Sequence, residues 1–266
     1  MLPPDSPEVL RALGALLWRL ERQGRPGRHA ALVAAARREL GMSARTAEAL
    51  AREAQDVDLQ RRLEELILGR LEPWWLDRYL VVDELSAEGP PALYLGLAAP
   101  HPLAAVLALA SARPGLCALY PACPPSQSRA DQLLYERFSR MRERVPARWT
   151  SDVAAASAAF SEGRSAHAVL GADAGGAGAG GSLGAIERGR VLGVPWPSLA
   201  AAARAAGAEV RAVEVSRQRD KRWCVRVSPP LSDDELPSRL AGQLARWPGQ
   251  TLGWRTAYID GQHGVH

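Results

Sequence analysis

Apolar positions follow a helical period in the first quarter of the chain and form short strand-like runs after it. Leucines spaced three and four apart predict a helix over 7–22, with arginines outside its apolar stripe. Two more helical patterns over 28–55 are divided near Gly41, where Ser43 is a suitable N-cap, and another pattern covers 57–72. We therefore expect a helical section that precedes the first strand.

Short apolar runs bounded by glycine, proline or polar turns predict the strands. These runs lie at 79–83, 92–98, 115–120, 165–172, 208–215 and 223–229, the last two pairing across a turn at 217–221. Helical patterns follow at 103–112, 130–144, 152–162, 197–206 and 233–246. This alternation predicts an α/β fold with a mixed, mostly parallel central sheet flanked by helices. We expect one domain, with a helical section over 1–75, an α/β core over 76–255 and a tail over 256–266.

Composition favours a globular protein of a reducing compartment. Of the 266 residues, 47% are hydrophobic and 23% charged, and the three cysteines form no CxxC pair that would indicate a disulfide framework or a zinc site. No run reaches the roughly 18 uncharged apolar residues of a membrane span, and the N-terminal pattern is not that of a signal peptide. The net charge of +4 suits an anionic membrane surface. We expect a cytoplasmic protein. The helix over 7–22 either packs on the core or lies on the surface of the inner membrane, where its arginines and Trp18 would suit the interface.

Two glycine-loop motifs occur in the segment 175–184, one for dinucleotide binding and one for a nucleophilic serine, but the surrounding sequence fits neither. Gly176, Gly178 and Gly181 match a dinucleotide fingerprint, and Ser182 stands where a nucleophile elbow would have its serine. Further glycines disfavour the helix that must follow a dinucleotide loop, and no strand leads into Ser182. The segment is more typical of a surface loop.

The remaining sequence signals argue against metal and nucleic-acid binding. The five histidines lack ligand spacing, so we expect no metal, and His167 is predicted to be a core residue with a hydrogen-bonded ring. Arginines are interleaved with acids rather than gathered with aromatic residues, so we expect no nucleic-acid partner.

One histidine, His101, stands between two prolines where an apolar strand gives way to a helix, in LYLGLAAPHPLAAV (93–106). The segments RPGLCALY, SEGRSAHAVLGADAGG, LGVPWPSLAAAARAAGAEVRAVEV and RWPGQTLGWRT follow in the same order as motifs of a known family. Over roughly residues 10–255, the chain resembles the lysophospholipid acyltransferase superfamily, in particular the bacterial lipid A lauroyl/myristoyl acyltransferases. The resemblance implies an acyltransferase-like fold.

The resemblance also assigns site residues. His101 matches the general base of the family's HX4D/E motif, but Val106 replaces its acid. Asp173 and Asp131 are possible substitutes. An imidazole without an orienting carboxylate loses rate by ~10⁴ in a related catalytic dyad. Arg140, Arg142 and Gly176 match the substrate-binding region. For the arginines, a solvated helix face with a Glu136–Arg140 pair is the alternative.

Two functions therefore remain open. The first is an acyltransferase-fold protein that binds an acyl chain, an acyl thioester or an acyl-carrier partner with little or no transfer. The second is an active acyltransferase that moves an acyl group from acyl carrier protein or coenzyme A to a hydroxyl or amine, with His101 as base and a non-standard acid. Neither needs a cofactor besides the acyl donor.

Overall fold

The computed structural model describes residues 26–67, 80–83, 85, 89–97, 101–120, 142–143, 145–171, 186–220 and 222–252. The helix predicted over 7–22, the glycine-rich loop and the tail lie outside these residues, as does most of the helix predicted over 130–144.

The chain folds as an α/β protein around a seven-stranded, mostly parallel sheet. Its strands are β1 (Leu80–Asp83), β2 (Ala92–Leu97), β3 (Leu116–Leu119), β4 (Ala147–Thr150), β5 (Ala166–Leu170), β8 (Glu209–Arg217) and β9 (Trp223–Val227). In space the order is β1-β9-β8-β2-β5-β3-β4, and the two strands β6 (Arg190–Val191) and β7 (Val194–Pro195) form a separate hairpin. The pair β8–β9 is antiparallel, and the other pairs of the large sheet are parallel.

Helices cover both faces of the sheet, which explains why every residue of β2 is buried. On one face lies α3 (Pro102–Ala112), packed on Tyr94, Val213 and Trp223. On the other lie α4 (Ala154–Ser161), α5 (Trp196–Ala205) and α6 (Glu235–Arg246), packed on Leu93, Leu95 and their neighbours. Alternate residues of β2 therefore belong to two different cores.

The N-terminal helices are α1 (Pro26–Leu40) and α2 (Ala44–Ile67). Gly41 has the positive φ of 62° that ends α1, and the Ser43 hydroxyl accepts a 3.3 Å hydrogen bond from the Thr46 amide, as expected of an N-cap. The predicted break near residue 56 is wrong: α2 continues through it, because neither glycine nor proline interrupts the segment. Alanines on α1 and α2 form a small core that also takes in Leu252.

The other predicted elements that fall within the described residues are confirmed, with bounds that differ by at most two residues, but two features were not anticipated. The edge strand β4 is short and carries no apolar alternation, and the β6–β7 hairpin has two residues per strand. Its turn is built on Leu192 and Gly193, both with positive φ, as a tight hairpin turn requires. Among the described helices, none is long and apolar enough to cross a membrane.

Candidate functional site

The strands β2 and β5 lie side by side in parallel, with Leu97 opposite Leu170 at their carboxyl ends. From β2 the chain passes to α3 on one face of the sheet, and from β5 it passes towards α5 on the opposite face. Neighbouring strands whose connections diverge in this way form a crevice at their carboxyl ends, where open α/β sheets bind ligands. The topology therefore places the candidate site at this edge.

His101 lies on the first of these connections, as the N-cap residue of α3. Its backbone has φ −148° and ψ 78°, and Pro102 occupies the first turn, where its missing N–H costs nothing. The His101 carbonyl accepts a 3.0 Å hydrogen bond from the Ala104 amide. The helix thus begins at Pro102, directly after the histidine and one residue before the predicted start.

The imidazole of His101 is fully buried. Its ring lies edge-on to the indole of Trp223, the first residue of β9, with 4.8 Å between ring centroids. Trp223 is paired with Arg217 at the carboxyl end of β8, so it belongs to the same edge of the sheet as the β2–β5 crevice. The histidine is therefore buried at this edge of the sheet and is not exposed to solvent.

Val106, at the position that the resemblance gives to the acid, lies entirely in hydrocarbon. The residues of α3 from Leu103 to Ala110 are all buried, and Val57 of α2 belongs to the same apolar cluster. A carboxylate at residue 106 would be desolvated at a cost of several kcal/mol. The valine therefore fits its surroundings, and an acid would not.

Several carboxylates at the strands and their turns are already bonded to arginines. Asp83 accepts from Arg226, Asp220 from Arg222 and Glu209 from Arg211. Glu214 lies near two arginines of α6. Asp173 and Asp131, the predicted substitute acids, lie outside the described residues, Asp173 three positions after Leu170.

Arg142 lies beside the edge strand β4. Its guanidinium is 5.0 Å from the centre of the Trp149 ring, and its carbonyl accepts a 3.0 Å hydrogen bond from the Trp149 indole N–H. Tyr120 meets the same indole edge-on at 5.7 Å. A cation over an aromatic face is favourable by about 0.5–1 kcal/mol, so Arg142 has a packing role at this edge. Arg140 and Gly176 fall in segments that the structure does not describe.

His167, on β5, is buried as predicted, but one of its ring nitrogens lacks the predicted hydrogen bond. Its Nδ1 has no hydrogen-bond partner among the described residues, so the prediction of a fully bonded ring is wrong. Burial lowers the pKa of His167 to about 4, which keeps the ring neutral. The Nε2 lies 3.7 Å from where a Cβ on Gly96 of the neighbouring strand would be, which is an ordinary contact distance.

His29 is in contact with a carboxylate, but its geometry excludes a role as a general base. Nε2 lies 2.9 Å from Glu48 Oε1, and Nδ1 lies 2.9 Å from Gln55 Oε1. Both ring nitrogens are therefore engaged in joining α1 to α2, and neither is available to a substrate. The hydrogen bond from His29 and the one from Arg52 lower the pKa of Glu48.

The sequence reasoning missed the polar cluster around Glu214, although the acid between apolar residues in a predicted strand was a visible signal. No group of three or more His, Cys, Asp or Glu residues in the described part of the chain could hold a metal ion. No protein-family model matches the chain. No curated protein matches it significantly either.

Proposed function

We propose that this protein binds an acyl chain, presented as a fatty acyl group, an acyl thioester or an acyl-carrier partner, and transfers it little or not at all. The observation that carries the proposal is the burial of His101 edge-on to Trp223, with a valine in hydrocarbon at the acid position of the motif. The acyltransferase resemblance supplies the ligand class.

We expect weak acyl transfer because His101 does not meet the requirements of a general base. The base must reach the acceptor hydroxyl within hydrogen-bond distance, and an orienting carboxylate must stabilise the imidazolium. The His101 ring is shielded from solvent, and residue 106 provides no carboxylate. The ring can still contribute to the wall of a binding site.

Acyl binding suits the apolar character of the crevice side. The side chains of α3 and of the strand residues under it are apolar and pack against one another beside His101, so an acyl chain that enters there would meet hydrocarbon. Each methylene moved from water into such surroundings contributes about 0.8 kcal/mol, so a chain of medium length can bind without ionic contacts.

Fluorescence polarisation with a labelled 12-carbon fatty acid tests this proposal. Trp223→Phe removes part of the indole beside His101, whereas Trp196→Phe changes an equally buried indole on the opposite face of the sheet. We expect Trp223→Phe to weaken binding at least roughly threefold, the effect of about one lost methylene-sized contact. Trp196→Phe should bind as the wild type does. No saturable binding by the wild type, or equal weakening in both variants, would overturn the proposal.

An active acyltransferase is the second candidate, and the strand register favours it. Because Leu97 and Leu170 are neighbours, the segments leading to His101 and Asp173 leave adjacent strands at the same edge. In this reaction the acceptor oxygen attacks the thioester carbonyl, its proton passes to His101 and the thiol departs with a proton. Thioester turnover that is lost in both His101→Gln and Asp173→Asn would support this candidate, and turnover unchanged in either would reject it.

We further propose that the protein works on the cytoplasmic side of the inner membrane as a peripheral protein. The excess of 33 basic over 29 acidic residues supports attraction to anionic lipid. Co-sedimentation with phosphatidylglycerol vesicles, but not with phosphatidylcholine vesicles, is the expected result. Equal recovery with both would contradict it.

A further inference from the structure

A row of charged residues crosses three strands at one side of the sheet. Asp83 on β1 is the register partner of Arg226 on β9, and Arg226 is the register partner of Glu214 on β8. Register partners point to the same face of a sheet, so the three side chains form a ladder there. The Arg226 Nε donates a 3.1 Å hydrogen bond to Asp83 Oδ2.

Two arginines of α6 complete the ladder. Arg239 Nε lies 2.8 Å from Glu214 Oε1, and Arg246 Nη1 donates a 3.0 Å hydrogen bond to Glu214 Oε2. The Glu214 side chain is only 5% exposed, whereas those of Arg239 and Arg246 are 37% and 45% exposed. One buried carboxylate therefore lies between two partly exposed guanidiniums. It is hydrogen-bonded to Arg246, and it is in ion-pair contact with Arg239 without hydrogen-bond geometry.

The cluster carries more positive than negative charge. Three arginines meet two carboxylates, which leaves a formal charge of +1. A guanidinium offers five N–H donors, and each α6 arginine directs one nitrogen at Glu214.

The polar layer between α6 and β8 also contains an unsatisfied acceptor. Gln243 lies on the helix face shared by Arg239 and Arg246, and its Nε2 donates a 3.1 Å hydrogen bond to the Val215 carbonyl. Its Oε1 is buried and has no hydrogen-bond partner among the described residues. The polar side chains between α6 and β8 therefore do not satisfy all of their own hydrogen-bonding groups.

We propose that Arg239 and Arg246, held in place by Glu214, bind a phosphate-type oxyanion. Guanidinium forks match phosphate oxygens in pairs, and holding both side chains on a buried anchor lowers the entropy lost on binding. The ligand is an inorganic phosphate or a phosphate monoester. This site lies on the sheet face opposite α3 and does not depend on the proposed acyl binding.

Isothermal titration calorimetry with inorganic phosphate, at constant ionic strength set by chloride, tests this site. We expect saturable binding that Arg246→Gln weakens roughly tenfold, the loss of one charge-assisted contact. Arg222→Gln is the matched control, because Arg222 is similarly exposed and paired with Asp220. It should bind phosphate as the wild type does.

Glu214→Gln gives a test in the opposite direction that does not remove an arginine. The neutral amide keeps the shape of the anchor but no longer repels an anion, so phosphate should bind more tightly than in the wild type. If Arg246→Gln does not fold, the affinity of Glu214→Gln for phosphate tests the proposal. Titration with sn-glycerol 3-phosphate distinguishes the two forms of the ligand. If it binds more tightly than inorganic phosphate, the ligand is a phosphate monoester. If it binds equally or more weakly, the ligand is free phosphate.

Absence of saturable phosphate binding to the wild type would overturn the proposal. So would wild-type affinity in a folded Arg246→Gln, or Glu214→Gln affinity at or below that of the wild type. None of these outcomes bears on acyl binding at the other face.

Discussion

The imidazole of His101 and the indole of Trp223 stand at 87° to each other, with their ring centres 4.8 Å apart. The contact joins the start of α3 to the start of β9, two elements far apart in the chain. An edge-to-face pair of this kind is stabilising by about 0.5–1.5 kcal/mol beyond its buried area. His101 therefore contributes to the folded structure whatever it does chemically.

The first prediction concerns stability. His101→Ala removes a fully buried ring and leaves a cavity, which should lower the free energy of unfolding by about 3 kcal/mol. His101→Phe keeps a ring against Trp223 and should cost less. Urea unfolding followed by circular dichroism measures both. A His101→Ala variant as stable as the wild type would show that the ring is not packed as described.

His167 should make stability depend on pH. Its pKa is about 4 in the folded chain, below the ordinary 6.5, so the unfolded chain takes up the proton first. Stability is therefore complete above pH 6.5 and is lost as the pH falls towards 4. The total loss is about 3 kcal/mol, from roughly 1.4 kcal/mol per pKa unit.

His167→Gln lacks this titration, because glutamine carries no proton to gain. Its unfolding free energy should fall less than that of the wild type between pH 7 and pH 4. Identical slopes for the two proteins would mean that His167 is not held neutral by burial.

Gly96 should tolerate no side chain. A Cβ there would meet the Val213 carbonyl oxygen at 3.2 Å and the His167 Nε2 at 3.7 Å. Gly96→Ala is expected to lower the free energy of unfolding by about 1–3 kcal/mol, the usual cost of overpacking. Gly242→Ala is the control, because nothing lies within 4 Å and the residue is in α6. It should raise stability by about 0.5–1 kcal/mol. The same sign in both variants would contradict the packing described for Gly96.

The contact between His29 and Glu48 should appear in the titration of the acid. His29 is the first cause of the lowered pKa of Glu48, ahead of Arg52. His29→Ala should therefore return the Glu48 pKa towards its ordinary value, more than Arg52→Ala does. Carboxyl ¹³C chemical shifts recorded against pH measure both. An unchanged Glu48 pKa in His29→Ala would exclude the hydrogen bond.

The fold was largely predictable from sequence, because its elements have strong local signals. The continuous apolar runs of β2 and β5 required burial on both faces, and Ser43 beside Gly41 marked a helix boundary. The strand β4 had no such signal, since its burial is only partial and its residues are mixed. Strand order was not readable locally, because β1 pairs with β9 across most of the chain.

The candidate site was predictable only in part. The proline after His101 indicated the start of a helix, and the structure confirms that junction. The edge contact with Trp223 depends on strand order, so no local pattern could reveal it. The partners of Glu214 lie 25 and 32 residues further along the chain and meet it only when α6 packs on β8.

We propose that His101 does not act as a proton shuttle for acyl transfer. The direct measurement is release of thiol from a lauroyl thioester, with a hydroxyl acceptor present, by the wild type and by His101→Gln. We predict that both proteins release thiol at the background rate while the wild type still binds the labelled acyl chain. Release by the wild type well above background, and its loss in a folded His101→Gln, would contradict the account.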